Sequence, residues 1–261
     1  SGTTTNVEPG QTVTVTFGGK NYTASVASDG SWTATVPAAD LASLPEGSAS
    51  AQASVSNING NSASAVHNYS IDSSAPTIII NTVASDNIVN ASEADAGVTV
   101  SGSTTAEAGQ IVTVTLNSPT VQTYQATVQA DGSWSINIPA ADLEALTDGS
   151  HTLTATVNDK AGNPASTTHN LAVDLTVPVL TINTIAGDDI INAAEHGQAL
   201  VISGSSTGGE AGDVVTVTLN SKTYTTTLDA SGNWSVGVPA ADVTALGSGP
   251  QTVTATVTDA A

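Results

Sequence analysis

Oxygen-bearing side chains recur at fixed spacings along this chain of 261 residues. One pattern, D-x-x-x-N-x-x-E, occurs at Asp86, Asn90 and Glu93 and again at Asp188, Asn192 and Glu195. A second pattern, D-x-x-x-P, occurs at residues 72–76 (DSSAP) and 174–178 (DLTVP). Carboxylate and amide oxygens are ligands for hard cations, but Asp and Asn are also frequent turn formers. The two patterns therefore predict either cation sites or structured turns.

The composition narrows the possible partners. Three Lys and Arg residues stand against 23 Asp and Glu, so the formal charge is −20. Nucleic acid and anionic membrane surfaces would be repelled, whereas cations would be attracted. A solvated acidic surface that only aids solubility is the alternative. The chain has no Cys, which excludes disulfides and thiolate metal sites.

The acidic patterns belong to a longer internal repeat. Trp32, Trp134 and Trp234 lie 102 (134 − 32) and 100 (234 − 134) residues apart, each inside a near-identical stretch such as DGSWSINIPAADLEALTDG. A period of this length is typical of whole small domains in tandem. We predict three domains, copy one at 1–72, copy two at 73–174 and copy three at 175–261, with the D-x-x-x-P stretches as linkers. A domain break near Gly102 is the alternative phase.

Copy two predicts an all-β fold. Short runs of alternating β-branched residues predict seven strands, lettered A to G, at 77–82, 98–102, 111–117, 124–129, 134–138, 152–158 and 167–174. One short helix is predicted at 139–146. Seven such strands in one repeat are typical of an immunoglobulin-like β-sandwich. On this phase copy one lacks strand A and copy three lacks strand G. We expect each Trp to be buried between the sheets, and an exposed Trp that stacks on a sugar is the alternative.

The combination of VTVTL, DGSWSINIPAADL, LTDGSHTLTATVNDKAGN and D-x-x-x-P resembles the bacterial immunoglobulin-like (BIg) repeats of giant type-I-secreted, RTX-type adhesins. The resemblance covers essentially the whole chain. It implies an extracellular stalk segment on the bacterial cell surface, which supports adhesion, biofilm formation or virulence while the parent protein binds its host-cell or biofilm ligand elsewhere. It also implies that Ca²⁺ at domain junctions holds neighbouring repeats of the same chain in line.

The sandwich topology suggests which acids could hold that calcium. The A–B loop and exit linker of one copy would face the B–C and F–G loops of the next. The predicted ligands at the second junction are Asp86, Asn90, Glu93 and Asp174 facing Glu210 and Asp259. At the first junction they are Asp72 facing Asp159 and Asn163, with Glu107 and Asp131 nearby, although Asp131 is better explained as a turn former. Within the copy-three loop they are Asp188, Asp189 and Glu195.

No enzymatic motif is present, and the four His residues show no metal-protease spacing. We therefore expect no enzyme activity. A glycan- or ligand-binding Ig-like module of a secreted protein is the alternative to a stalk, and an accessory domain of a secreted hydrolase is a third class. We expect a monomer without membrane insertion, because no run approaches the 18 or so apolar residues of a membrane span and no signal peptide opens the chain.

Overall fold

The computed structural model describes residues 1–117 and 120–259, which form strands almost throughout. The chain divides into two compact units, one of Ser1–Ala75 with Asp159–Asn163 and one of Pro76–Asn158 with Pro164–Ala261. Copies two and three have separate sheets and separate hydrophobic cores within the second unit. The three domain boundaries at 72 and 174 remain a prediction, whereas the all-β, Ig-like fold class is confirmed.

Copy two is a two-sheet sandwich. Its elements are β7 (Ile78–Ile80), β8 (Ile88–Asn90), α2 (Ala91–Ala96), β9 (Val98–Thr104), β10 (Ile111–Asn117), β11 (Gln122–Thr127), β12 (Ser133–Ile138), α3 (Ala140–Leu143), β13 (Gly149–Asn158) and β14 (Pro164–Asp174). The larger sheet has the order β11-β10-β13-β14-β8, and the smaller has the order β12-β9-β7. All pairs are antiparallel except β14 with β8. The seven predicted strands are present, and β8 and α2 are additions within the predicted A–B loop.

The core of copy two is built around one tryptophan. Alternate residues of β9 and β10 point inward because side chains alternate across a strand, as the buried Val100 and Val112 show. Trp134 is only 1% exposed, so its predicted burial is confirmed. Its ring lies over Gly102, where an added Cβ would come within 2.5 Å of the Trp134 Cζ2 atom. The glycine is required because a side chain there would occupy the space of the indole.

Copy three repeats the architecture. Its elements are β15 (Val179–Ile182), β16 (Leu200–Thr207), β17 (Val214–Leu219), β18 (Lys222–Thr227), β19 (Asn233–Val238), α4 (Ala240–Thr244) and β20 (Val253–Thr258). Its sheets have the orders β15-β16-β19 and β18-β17-β20. Trp234 is buried over Gly204 in the same way.

Copy one has one full sheet and one small one. Its elements are β1 (Gly2–Thr3), β2 (Thr12–Phe17), β3 (Lys20–Ser25), β4 (Ser31–Trp32), α1 (Ala38–Leu41), β5 (Gly47–Ser56) and β6 (Ser62–Ile71). The sheet β3-β2-β5-β6 faces only the two-stranded ribbon β1-β4. Trp32 is therefore half-buried, and its predicted burial is only partly realised. In the described part of the chain, no helix is long and apolar enough to cross a membrane.

Candidate functional site

The A–B loop of copy two is ordered by its own polar side chains. Asp86 Oδ1 accepts a hydrogen bond from the Ile88 N–H at 2.9 Å, which forms a tight turn. Asn90 is the N-cap of α2: its side chain accepts from the Glu93 N–H at 3.0 Å, and Glu93 accepts from the Asn90 N–H at 3.2 Å. This reciprocal pair is a capping box. The D-x-x-x-N-x-x-E pattern thus has a local structural cause, and calcium at these residues stays a prediction.

The same pattern in copy three behaves alike. Asp188 Oδ1 accepts from the backbone N–H two residues later at 3.0 Å, and Asp189 Oδ1 accepts from the Ile185 N–H at 2.8 Å. Glu195 accepts from the Asn192 N–H at 3.0 Å and donates its own N–H to the Asn192 side chain at 3.3 Å. Each of the three predicted acids bonds to a different part of the loop backbone.

Asp72, Asp159 and Asn163 do come together, inside the first compact unit. The Asn163 side-chain amide donates to Asp159 Oδ2 at 2.8 Å and to the Asp72 carbonyl at 3.2 Å, and it lies 3.5 Å from Asp72 Oδ1. Asp159 is buried, with 7% of its surface exposed. Burial raises the pKa of the Asp159 carboxyl, but hydrogen bonds from the Asn163 side chain and from backbone N–H groups outweigh burial and hold the pKa below its ordinary value.

This cluster fits the donor chemistry of calcium. Two carboxylates, a carbonyl and an amide oxygen are hard donors of the kind that Ca²⁺ prefers. The Asn163 amide N–H group now lies between the oxygens, so an ion would replace its hydrogen bonds.

Asp174, Glu210 and Asp259 are placed differently. Asp174 Oδ1 accepts from the Thr176 N–H at 3.1 Å, and the Glu210 N–H donates to Asp213 Oδ2 at 2.7 Å. Within residues 1–117 and 120–259, no three His, Cys, Asp or Glu side chains form a group that could hold a metal ion. The predicted second-junction ligands are thus not gathered into a site of that kind, and calcium there stays a prediction.

Two acids that the sequence reading missed hold the D-x-x-x-P linkers. Glu46 accepts from the backbone N–H and the hydroxyl of Ser73, and Asp148 accepts from the Leu175 N–H at 2.8 Å and from the Thr176 hydroxyl. These bonds lower the pKa of both carboxyls: for Glu46 the Ser73 hydroxyl has the largest effect, and for Asp148 it is the Leu175 N–H. The available signal was the recurrence of an acid before glycine, PEG at 45–47 and TDG at 147–149.

A third recurring contact fastens the short helix to the neighbouring sheet. In copy one, Asp40 of α1 pairs with the Lys20 ammonium and accepts from the Tyr22 hydroxyl at 2.9 Å. Copy three repeats the set as Lys222, Tyr224 and Asp242. Copy two keeps only the bond from Tyr124 to Asp142, at 2.7 Å. The Lys20 side chain is 59% exposed, so this pair is a solvated clamp and not a reactive centre.

Comparison with known proteins places this architecture in a family. The family model for the bacterial Ig-like domain matches residues 74–175. A solved structure described as a Ca²⁺-stabilized adhesin that helps an Antarctic bacterium reach out and bind ice is 34% identical in sequence. The similarity covers 98% of this chain but only 66% of that chain, with a TM-score of 0.44. No curated protein matches.

Two further solved structures are similar. One comes from a 1.5-MDa bacterial ice-binding adhesin studied for host cell surface retention; it is 33% identical over 97% of this chain and 86% of that chain, with a TM-score of 0.44. A bacterial immunoglobulin-like domain from the M. primoryensis ice-binding adhesin is 38% identical over 38% of this chain and 95% of that chain, with a TM-score of 0.29. The relationship rests on sequence identity and the family model, because all three TM-scores are below 0.5. The chain belongs to the bacterial Ig-like domain family, as a tandem repeat of the adhesin type.

Proposed function

We propose that this chain is a structural stalk segment of a bacterial cell-surface adhesin, with calcium at the ends of its copies holding neighbouring repeats in line. The observation that carries the proposal is the repetition of one Ig-like sequence three times, at more than 30% identity to adhesin repeats. Repeated near-identical copies supply length, whereas a recognition site is needed once. The proposed domains are 1–72, 73–174 and 175–261, and the proposed location is extracellular.

The acidic loops support a role for calcium in this proposal. Asp72, Asp159 and Asn163 would hold an ion, and bound Ca²⁺ would neutralise two carboxylates that otherwise repel each other. A relative described as a Ca²⁺-stabilized adhesin is consistent with this assignment. The linker acids act without metal: Glu46 and Asp148 fix the direction in which the chain leaves each copy by bonding its first linker residues.

The glycan-binding alternative needs accessible aromatic rings. Trp134 and Trp234 are 1% and 3% exposed, and both rings lie between sheets. They cannot stack on a sugar without unfolding the core. This burial favours the stalk, whose ligand is bound elsewhere on the parent protein.

A thermal melt of the whole chain tests the role of calcium. For sites with the affinity of extracellular calcium modules, about 10⁻⁴ to 10⁻³ M, about 5 mM CaCl₂ should stabilise the folded state by about 1 to 2 kcal/mol relative to EGTA. That corresponds to a rise in Tm of at least about 4 °C. Equal concentrations of MgCl₂ should not reproduce the rise.

Two variants locate the effect. Asp159→Asn should reduce the rise, because it removes one carboxylate from the cluster while keeping its shape. Asp29→Asn is the matched control, since Asp29 is a turn acid that bonds only to Ser31. Identical melts in CaCl₂ and EGTA, or an equal loss in both variants, would remove calcium at this cluster from the proposal.

A further inference from the structure

Copy three contains an open apolar groove. It has a volume of about 820 Å³ and extends along the gap between the two sheets. Aliphatic side chains line it, among them Ile182, Ile191, Leu219, Leu246 and Val253. A groove of this size and chemistry is suited to bind apolar side chains.

In copy two the corresponding gap is covered by β14. This strand pairs antiparallel with β13 along its length and parallel with β8 near its end. Its residues Leu171 and Val173 are 0% and 3% exposed and belong to the core cluster. Copy two therefore shows which kind of element fills this position.

Register places β20 where β13 lies. Leu219 pairs with Val253 in copy three as Leu116 pairs with Leu153 in copy two, a shift of 100 residues along β13 (253 − 153). In copy two, Leu171 and Val173 stand opposite His151 and Gly149. The corresponding residues of copy three are Gln251 and Gly249, and both line the groove. Gly249 also has the same left-handed backbone as Gly149, with φ of +115° and +128°.

The rim of the groove is exposed where copy two is closed. Ile190 is 63% exposed, and Ile191 is half-buried although the equivalent Val89 is fully buried. Among the described residues, β20 pairs only with β17, so its outer edge has free N–H and C=O groups. An edge of this kind beside an apolar slot is a template for strand addition.

We propose that copy three is an acceptor for an extended peptide strand from another polypeptide, which pairs antiparallel with β20 and inserts two aliphatic side chains, two residues apart, into the groove. The pattern it selects is that of Leu171-Ala-Val173. The β14 strand of a second copy of this chain is not the occupant, because it is fully paired in its own sheet and its removal would open the core of copy two. Captured strands would fasten one stalk to a neighbouring polypeptide.

One further position gives the strand a preferred chemistry. In copy two, His169 of β14 bonds through Nε2 to Asn87 Oδ1 at 2.7 Å. Copy three has Asp189 at the place of Asn87, held by the same backbone bond, to Ile185 instead of Val83. Asp189 also lines the groove. A carboxylate there favours a strand with a histidine or basic residue two positions before the first aliphatic one.

The probe is a synthetic peptide with the sequence of residues 164–174, PASTTHNLAVD, titrated into the whole chain by calorimetry. We expect saturable binding with one site per chain. A peptide with Leu171→Asp and Val173→Asp should bind at least about tenfold more weakly, since two aliphatic side chains no longer leave water. A peptide with His169→Ala should also bind more weakly, by a smaller factor.

Two chain variants locate the site. Ile190→Asp should weaken binding, whereas Val201→Asp should not, because Val201 has a matched exposure of 64% but lies outside the groove lining. The proposal is overturned if no binding occurs at about 1 mM peptide, or if the doubly substituted peptide binds equally well. Equal loss in both chain variants would also overturn it, as would a dimer of the chain that the peptide does not dissociate.

Discussion

Replacing Gly102 with alanine fills the space in which the Trp134 ring lies. The new Cβ would stand 1.9 Å from the Ile79 carbonyl oxygen and 2.5 Å from Trp134 Cζ2. The carbonyl cannot retreat freely, because Ile79 belongs to β7, which pairs with β9. The ring cannot retreat either, since it is almost fully buried. One of the two sheets must shift, or Trp134 must leave the core.

The cost follows from what is lost. Removing a buried aromatic side chain from a core typically costs about 3 to 5 kcal/mol, and a displaced Trp134 loses a similar set of contacts. A domain of this size has about 5 to 15 kcal/mol of stability in total. Gly102→Ala should therefore lower the Tm of copy two by about 15 °C or more.

The assay is urea unfolding followed by Trp fluorescence. With Trp32→Phe and Trp234→Phe as the background, Trp134 alone reports on copy two. Gly237→Ala is the control, because nothing lies within 4 Å of its added Cβ and its φ is not left-handed; it should change stability by less than about 1 kcal/mol. A loss below about 1 kcal/mol for Gly102→Ala would refute the packing argument.

Three further results are expected. Asn90→Ala should lower the unfolding free energy of copy two by about 1 kcal/mol in the same urea assay, because the capping box is lost, while Asn90→Asp should retain most of it; equal stability of all three proteins would contradict the assignment. Asp148→Asn should speed protease cleavage at residues 175–178, since the bond to Thr176 is weakened, and wild-type cleavage rates would show that Asp148 does not hold the linker. The Lys20 ammonium, followed by a tyrosine hydroxyl, holds the pKa of Asp40 below its ordinary value; its contribution to stability is complete above about pH 4 and disappears as the pH falls through the lower pKa of the folded state. Acid titration of copy one should show this loss, and Asp40→Asn should lack it; parallel titration curves would argue against the clamp.

Strands with strong alternation could be predicted from the sequence, and β8 could not. The run at 111–117 alternates buried and exposed residues over seven positions, which is sufficient to identify β10. β8 has three residues and is a strand because β14 pairs with it, some 80 residues later in the chain. In copy three the same loop has Ile190 and Ile191 but no strand, because β20 has no such neighbour among the described residues. A strand that depends on a distant partner leaves no local signal.

The candidate site was partly within reach of sequence reasoning. Loop topology predicts that Asp72 approaches Asp159 and Asn163, and the three residues lie together. Composition could not show that Asp86 and Glu93 face their own loop backbone, since a turn former and a metal ligand are the same residue types. Asp148 was missed because its partners are about 28 residues further along the chain and are brought close only by the fold.

Small-angle X-ray scattering of the whole chain in about 5 mM CaCl₂ and in EGTA tests the stalk most directly. Strands of about seven residues at ~3.3 Å each, with their loops, give a copy length of roughly 40 Å. Three copies held in line should therefore show a maximum dimension of about 120 Å in calcium, and a shorter, broader distance distribution in EGTA. The same distribution in both buffers would contradict stiffening by calcium, and a maximum dimension near that of one copy would contradict the stalk itself.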